Sequence, residues 1–326
     1  MMATRAMQSA AAATRRAFPS FSTFSAFAPP PRSAIYLPAS NERNVAKAQT
    51  LDADAVILDI EDAVAASDDA KENARSRAVE AAWGDAYDFG KKSVVVRING
   101  FGTPWHDDDV AAVRDAIASA RKSGQPRARR RAVLLPKTDN PAQVSELANR
   151  LSLIPDDGVK LWCMIETPAG VENALSISAA EPAHLECLVM GTVDLANELQ
   201  CDPHFPERGN MMYHLQKVVC VARASGRYVL DGVYTNLENA RELRDECAQG
   251  ASLGFDGKTA IHPKQIKEIN DAFTPSEAQI KRATRVIDAH TKAVKEGSGV
   301  CTLDGFLVEA LHVRNAGRVL AAARRD

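Results

Sequence analysis

From Met1 to Asn41 the sequence contains no aspartate and no glutamate, although the full 326 residues carry 42 acidic residues. The same segment holds Arg5, Arg15, Arg16 and Arg32 among alanines, serines and phenylalanines. An acid-free, Arg-bearing, Ser-rich segment can form the basic amphipathic helix that organelle import machinery reads. It lacks the continuous apolar stretch of a secretory signal, which argues against export. Residues 1–32 are therefore expected to be a transit leader, addressed to the mitochondrion with the plastid as the alternative. Pro29-Pro30-Pro31 is expected to link it to the folded part. No run approaches the ~20 apolar residues needed to span a bilayer, so no membrane partner is expected. The six cysteines (Cys163, Cys187, Cys201, Cys220, Cys247 and Cys301) include no C-x-x-C pair or other zinc spacing. Several fall inside apolar runs, as reduced buried thiols do. A formal charge of −2 gives no electrostatic reason to expect nucleic acid. One basic run, Arg127, Arg129, Arg130 and Arg131, lies beside Gly124 and Pro126 without aromatic neighbours and reads as a solvated loop.

What is present is the composition of a globular chain, 45% hydrophobic and 25% charged. From Ser33 onward, short apolar runs alternate with amphipathic stretches. The runs are Ala34–Leu37, Ala55–Ile60, Val94–Ile98, Ala132–Leu135, Leu161–Ile165, Leu185–Met190, Tyr228–Val233 and a weaker one around Gly254–Ile261. Most lack in/out alternation, which marks parallel strands covered on both faces. Helical stretches between them include Glu42–Leu51, Ala70–Ala82, Pro141–Leu151 and Asn210–Ala224. Asn140 suits an N-cap before Pro141, and Gly226 and Gly254 suit left-handed helix ends. Eight such units predict a (β/α)8 TIM barrel over residues 33–296, with a C-terminal helical lid segment at 297–326 that docks on the barrel or on a neighbouring copy. A doubly wound open sheet is the competitor, but its Gly-rich phosphate loop is missing.

In such a barrel, functional groups project from the C-terminal ends of the strands. Those ends carry Asp59-Ile60-Glu61-Asp62, Arg97-Ile98-Asn99, Pro136-Lys137, Glu166-Thr167, Thr192-Val193-Asp194, Asp231-Gly232 and His262-Pro263. Charges at a barrel mouth cost desolvation unless they pair or bind something. Glu166 and Asp194 end adjacent strands and can converge, and two carboxylates plus water are the usual protein share of a Mg²⁺ site. The absence of histidine and thiolate there argues against zinc. The competing reading is that either carboxylate caps its following helix. Arg97 can neutralise Glu61 or Asp62, present its fork to a substrate carboxylate, or do both. Lys137 can pair with the strand 2 acids or act as a Schiff-base amine.

Taken in order, several motifs resemble the HpcH/HpaI aldolase and citrate lyase β-subunit family, with its citramalyl-CoA and malyl-CoA lyase-like members. They are Tyr36–Arg43 (YLPASNER), Ala55–Val64 (AVILDIEDAV), Val96–Asn99 (VRIN), Leu135–Lys137 (LPK), Met164–Gly170 (MIETPAG), Met190–Ala196 (MGTVDLA), Leu230–Tyr234 (LDGVY) and Gly254–Pro263 (GFDGKTAIHP). The resemblance spans Ser33 to Phe273. It implies a carbon–carbon lyase acting on a small molecule, with Mg²⁺ held by Glu166 and Asp194 and a 2-oxo acid carboxylate bound by Arg97. It also implies that Tyr36, Arg43 and Lys47 contact a coenzyme A moiety; the last two are one helical turn apart and can face one phosphate. Two departures are visible: Val193 where the family often has asparagine, and Glu309 where CoA-lyase members carry an aspartate general base on a lid from a neighbouring subunit. Such a lid implies a homo-oligomer, a trimer or a multiple of it. The expected activity is cleavage or formation of a 3-hydroxyacyl-CoA with a terminal carboxylate. The alternatives are a class II aldolase on free 2-oxo acids, a malate synthase-like condensation with thioester hydrolysis, and a non-catalytic scaffold.

Overall fold

A computed structural model of the chain describes residues 29–123, 130–154, 158–323. The leader expected over 1–32 lies outside these residues up to position 28, as do Arg127 and Arg129 of the basic run. Eight parallel strands close into one barrel in chain order. They are β1 (Ser33–Pro38), β2 (Ala55–Asp59), β3 (Ser93–Arg97), β4 (Arg131–Leu135), β5 (Val159–Ile165), β6 (Leu185–Met190), β7 (Tyr228–Asp231) and β8 (Gly257–Ala260). The helices between them are α1 (Glu42–Ala48), α2 (Asp68–Trp83), α3 (His106–Lys122), α4 (Pro141–Arg150), α5 (Pro168–Ala179), α6 (Thr192–Glu198), α7 (Met212–Ser225) and α8 (Ala240–Leu253). Then come α9 (Ile266–Ala272), α10 (Glu277–Lys295), a hairpin of β9 (Cys301–Leu303) and β10 (Phe306–Val308), and α11 (Ala310–Ala323).

The apolar runs without alternation are strands buried on both faces. One set of alternate residues packs outward under the helices. The other fills the interior: Ala34, Ala55, Ile57, Val95, Leu134, Trp162, Met164, Val189 and Leu230 belong to one cluster built only from strands. The barrel is therefore a packed core, as a ring of eight strands should be. Local signals hold as well. Asn140 forms a capping box with Gln143 ahead of Pro141, and Gly226 and Gly254 end α7 and α8 at φ 69° and 101°. All six cysteines are free, with Cys163, Cys187 and Cys247 buried. Among the described residues, no helix is long and apolar enough to cross a membrane.

Both ends of the barrel differ from the expected boundaries. At the start, Arg32 already belongs to the fold, not to a leader. Its backbone N–H, Nε and Nη2 donate to the Asp54 carboxylate at 2.8–2.9 Å, and its carbonyl accepts from the Lys258 N–H at 2.8 Å. Gly257 permits this approach, because a Cβ there would fall 2.2 Å from the Pro31 carbonyl oxygen. At the far end, α10 sides with the tail. Ala283 and Val286 of α10 share a small apolar cluster with Val308 and Ala316, separate from the barrel core. The amphipathic tail thus docks first on the helix that precedes it.

Candidate active site at the C-terminal mouth of the barrel

The period of two that fills the barrel also builds its mouth. Two residues beyond inward-facing Ile57, Val95 and Met164 come Asp59, Arg97 and Glu166, and Tyr36 on β1 pairs with Ile57 in the layer beneath. Arg97 is 7% exposed and Asp59 and Glu166 are 0% exposed, so the apolar core ends in a layer of buried charge.

Asp59 is the principal partner of Arg97. The Arg97 Nε and Nη2 donate to the two Asp59 oxygens at 2.7 and 2.5 Å. The Nη1 meets Glu61 Oε2 at 2.9 Å and lies 3.7 Å from Asp62, and the guanidinium stands 4.8 Å from the Tyr36 ring centre. This corrects the expected geometry. The planar fork is spent on Asp59, and only Nη1, by leaving Glu61, can turn to a substrate carboxylate. Asp59 was expected among the charges at the end of its strand, but not as the partner of Arg97; the signal for that pairing was its parity with Arg97. Burial lowers the pKa of the guanidinium, but Asp59 outweighs burial and keeps it well above its usual value. Tyr36 donates its hydroxyl to Met164 Sδ at 3.6 Å, and burial keeps its phenol protonated.

Lys137 links the two halves of the mouth. Its backbone is left-handed, at φ 46°, a conformation that costs a side-chain-bearing residue about 1–3 kcal/mol and clusters at functional sites. That turn aims its N–H at Glu166 Oε1, 2.7 Å away, while its Nζ donates to Glu61 Oε1 at 2.5 Å. Burial alone would lower the lysine's affinity for its proton, but the hydrogen bond to and charge of Glu61 more than offset it. A held ammonium is no Schiff-base nucleophile, so the pairing with strand 2 acids stands.

Glu166 Oε2 is buried and has no hydrogen-bond partner among the described residues. Burial, then the nearby Glu61 charge, push the carboxyl up to about 8, with Asp194 adding to the shift. The oxygen rests against the exit of β6: a Cβ on Gly191 would fall 2.4 Å from it. Three residues on, half-buried Asp194 sits in the first turn of α6 and makes no side-chain hydrogen bond. Neither carboxylate caps a helix, since α5 is capped by Thr167 and α6 begins at Gly191 without a side-chain cap. The two acids do converge on one end of the barrel. Among the described residues no group of three or more His, Cys, Asp or Glu side chains could hold a metal. A pair of carboxylates with one orphaned oxygen fits Mg²⁺, which keeps several waters and binds few protein oxygens.

The other expected residues are more scattered. Arg43 and Lys47 lie on the exposed face of α1, after β1, with no ion pair among the described residues. Glu309 is half-buried in the C-terminal unit, where its carbonyl accepts the N–H groups of His312 and Val313 at the start of α11; among the described residues its side chain makes no hydrogen bond or ion pair. Val193 is 45% exposed. Asp231 turns away from the mouth into a buried network with Arg208 and Lys258, and His262 caps the turn at Lys264. A cleft of about 450 Å³ opens beside Glu61 and Lys137, between the exits of β2 and β3.

A closed parallel barrel with buried carboxylates at the C-terminal ends of its strands is the architecture of a TIM-barrel enzyme. The sequence model of the HpcH/HpaI aldolase/citrate lyase group matches residues 32–263, and that of TIM-barrel C–C bond lyases matches residues 207–323. The chain belongs to the HpcH/HpaI aldolase/citrate lyase family. It is 42% identical to a (3S)-malyl-CoA thioesterase of Cereibacter sphaeroides, over 90% of this chain and 95% of that one. It is 30% identical to the citrate lyase β subunit of Leuconostoc mesenteroides, over 90% and 94%, and 27% identical to the human mitochondrial citramalyl-CoA lyase, over 90% and 86%. Among solved structures it resembles the CitE protein of Mycobacterium tuberculosis in complex with magnesium, acetoacetate and coenzyme A. That match has a TM-score of 0.71, 28% identity, and covers 90% of this chain and 98% of the other.

Proposed function

We propose that the chain is a Mg²⁺-dependent lyase that cleaves or forms a 3-hydroxyacyl-CoA bearing a terminal carboxylate, of the malyl-, citramalyl- or citryl-CoA kind. The products of cleavage are an acyl-CoA and a 2-oxo acid. The observation that carries the reading is the buried, unpartnered Glu166 Oε2 beside Asp194, within reach of Arg97 through Lys137 and Glu61. Glu166 and Asp194 would hold the ion, which supplies Lewis-acid polarisation of the oxygen that becomes the carbonyl. Arg97 Nη1 and the Lys137 ammonium bind and orient the substrate carboxylate once Glu61 yields them. Arg43 and Lys47, exposed and without acidic partners among the described residues, take the phosphates of the coenzyme beside Tyr36. Glu309 of a neighbouring copy removes the hydroxyl proton at its carboxylate; the C–C bond breaks toward the thioester, whose enolate then takes a proton. Glutamate reaches about one bond further than the family's aspartate, which matters for a positioned base. That step requires an oligomer, a trimer or a multiple of it.

The test is incubation with Mg²⁺ and a panel of hydroxyacyl-CoA esters, reading 2-oxo acid and free thiol separately. Release of 2-oxo acid without free thiol supports the lyase. Glu166→Gln should lose Mg²⁺ binding by calorimetry and turnover together; retention of most activity would falsify the ion's assignment. A second reading is hydrolysis of the same thioester, favoured by the 42% identity to a protein named for that activity; it gives free CoA and an intact hydroxy diacid. Targeting to the mitochondrion, with the plastid second, rests on the sequence of residues 1–28, and a fluorescent fusion of that segment tests it.

A further inference from the structure

Lys71 is a buried ammonium, 3% exposed on α2, with no carboxylate in ion-pair range. Its Nζ donates to the carbonyls of Ile60 at 2.8 Å and Glu61 at 2.7 Å, and to Asn99 Oδ1 at 2.9 Å. Three acceptors exhaust its three protons. The ammonium also stands 4.9 Å from the Trp105 ring centre. Asn99 is tied down at its other atoms. Its N–H and Nδ2 donate to Asp109 Oδ2 at 2.8 and 2.6 Å, and its carbonyl accepts from His106 Nδ1 at 2.8 Å. Asp109 Oδ1 in turn accepts from Arg75 Nε at 2.7 Å. The exits of β2 and β3 are thus joined to each other and to α2 and α3 through one lysine.

Stability does not account for the choice of residue. Burial lowers the lysine's affinity for its proton, against the distant charges of Asp59, Asp109, Glu61 and Asp62. An apolar side chain of that length would fill the space without the desolvation cost of a charge. What the ammonium does is turn two consecutive carbonyls, 60 and 61, toward α2. With those carbonyls held outward, the Glu61 side chain faces the mouth, where it meets Arg97 Nη1 and Lys137 Nζ.

We propose that Lys71 is a positioning residue of the active site, which holds the Glu61 backbone against Asn99 and so presents the Glu61 carboxylate to Arg97 and Lys137. Lys71 does not itself reach the substrate. Its effect belongs in the geometry of the two cations that Glu61 orients.

The experiment compares Lys71→Met and Lys71→Arg with Val113→Ala, a core truncation in α3 remote from the mouth chemistry. Hydrogen–deuterium exchange and steady-state kinetics are read on each. Only the kinetic part rests on the proposed lyase reading. Lys71→Met is expected to speed exchange roughly tenfold or more in residues 60–66 and 98–103, with β5 and β6 unchanged. Its kcat should fall roughly ten- to hundredfold with KM within about threefold, the cost of a small misplacement. Lys71→Arg, whose longer donor group has the adjoining cleft for space, should recover most of both. Val113→Ala should lose thermal stability yet keep kcat within about twofold. Should Lys71→Met fail to fold, Lys71→Gln keeps two donors and should show the same local pattern more weakly. Exchange that stays at wild-type rates, or rises evenly around the barrel, overturns the proposal; so does a kcat loss no greater than that of Val113→Ala at equal thermal stability. If the wild-type protein turns over no thioester, the lyase reading fails, and the exchange pattern still decides for or against Lys71.

Discussion

At the residue scale the site is governed by carboxylates whose surroundings differ sharply. Glu166, pushed up to about 8 by burial and then by Glu61, holds its proton more tightly in the fold than in the unfolded chain. Between its unfolded value near 4.3 and about 8, the native state therefore binds more protons, and stability falls as pH rises through that window. The metal-free protein should lose thermal stability from about pH 5 to pH 8 by scanning calorimetry; Glu166→Gln should flatten that slope, and saturating Mg²⁺ should raise the alkaline end most. Asp59 accepts two hydrogen bonds from a buried guanidinium. Asp59→Asn leaves Glu61 as the guanidinium's close counter-charge and should cost about 3 kcal/mol by denaturant titration. Glu166, Asp194 and Arg97 were legible in the sequence because charge at the end of an apolar strand has few structural excuses. Asp59 was visible at the end of its strand, but its pairing with Arg97 needed the register, and the left-handed turn at Lys137 has no signature in residue type.

Elements were legible to the extent that burial governs them. The seven stronger apolar runs became strands within one or two residues, because a strand covered on both faces leaves a continuous hydrophobic record. The short helices α6 and α9 and the β9–β10 hairpin left none, being too brief for a helical period or set by turn geometry. Yet α6 brings Asp194 to the mouth, and it begins where Gly191 lets the chain graze Glu166. Gly191→Ala would place a methyl 2.4 Å from the Glu166 Cβ and Oε2, a contact that forces the carboxylate aside. Mg²⁺ affinity should drop at least tenfold by calorimetry, with the barrel's circular dichroism unchanged. Asn140→Ala, which removes a capping box on α4, should instead cost about 1 kcal/mol of stability and leave activity intact.

On the scale of the whole molecule, the C-terminal unit is poorly explained by a single chain. Phe306 and Leu307 on β10 are 63% and 58% exposed, and Leu311 follows at 42%. Apolar side chains grouped this way mark a contact surface, and a second copy is the occupant that the proposed Glu309 chemistry requires. Phe306→Asp combined with Leu307→Asp should shift the sedimentation coefficient toward the monomer and depress turnover, while melting of the barrel stays in place. A hairpin that sheds both its partner and its activity in one step would tie assembly to catalysis.

The seam of the ring has its own consequence for where a folded chain can begin. Arg32 clamps Asp54 and lends its carbonyl to β8, so the last stave is laced to residues just ahead of the first. A chain begun at Pro29 keeps the lacing whole. One begun at Ala34 loses the Asp54 clamp and the carbonyl that accepts the Lys258 N–H, while β1 still pairs with Thr259 and Ala260 of β8. The second should melt at a lower temperature than the first by scanning calorimetry.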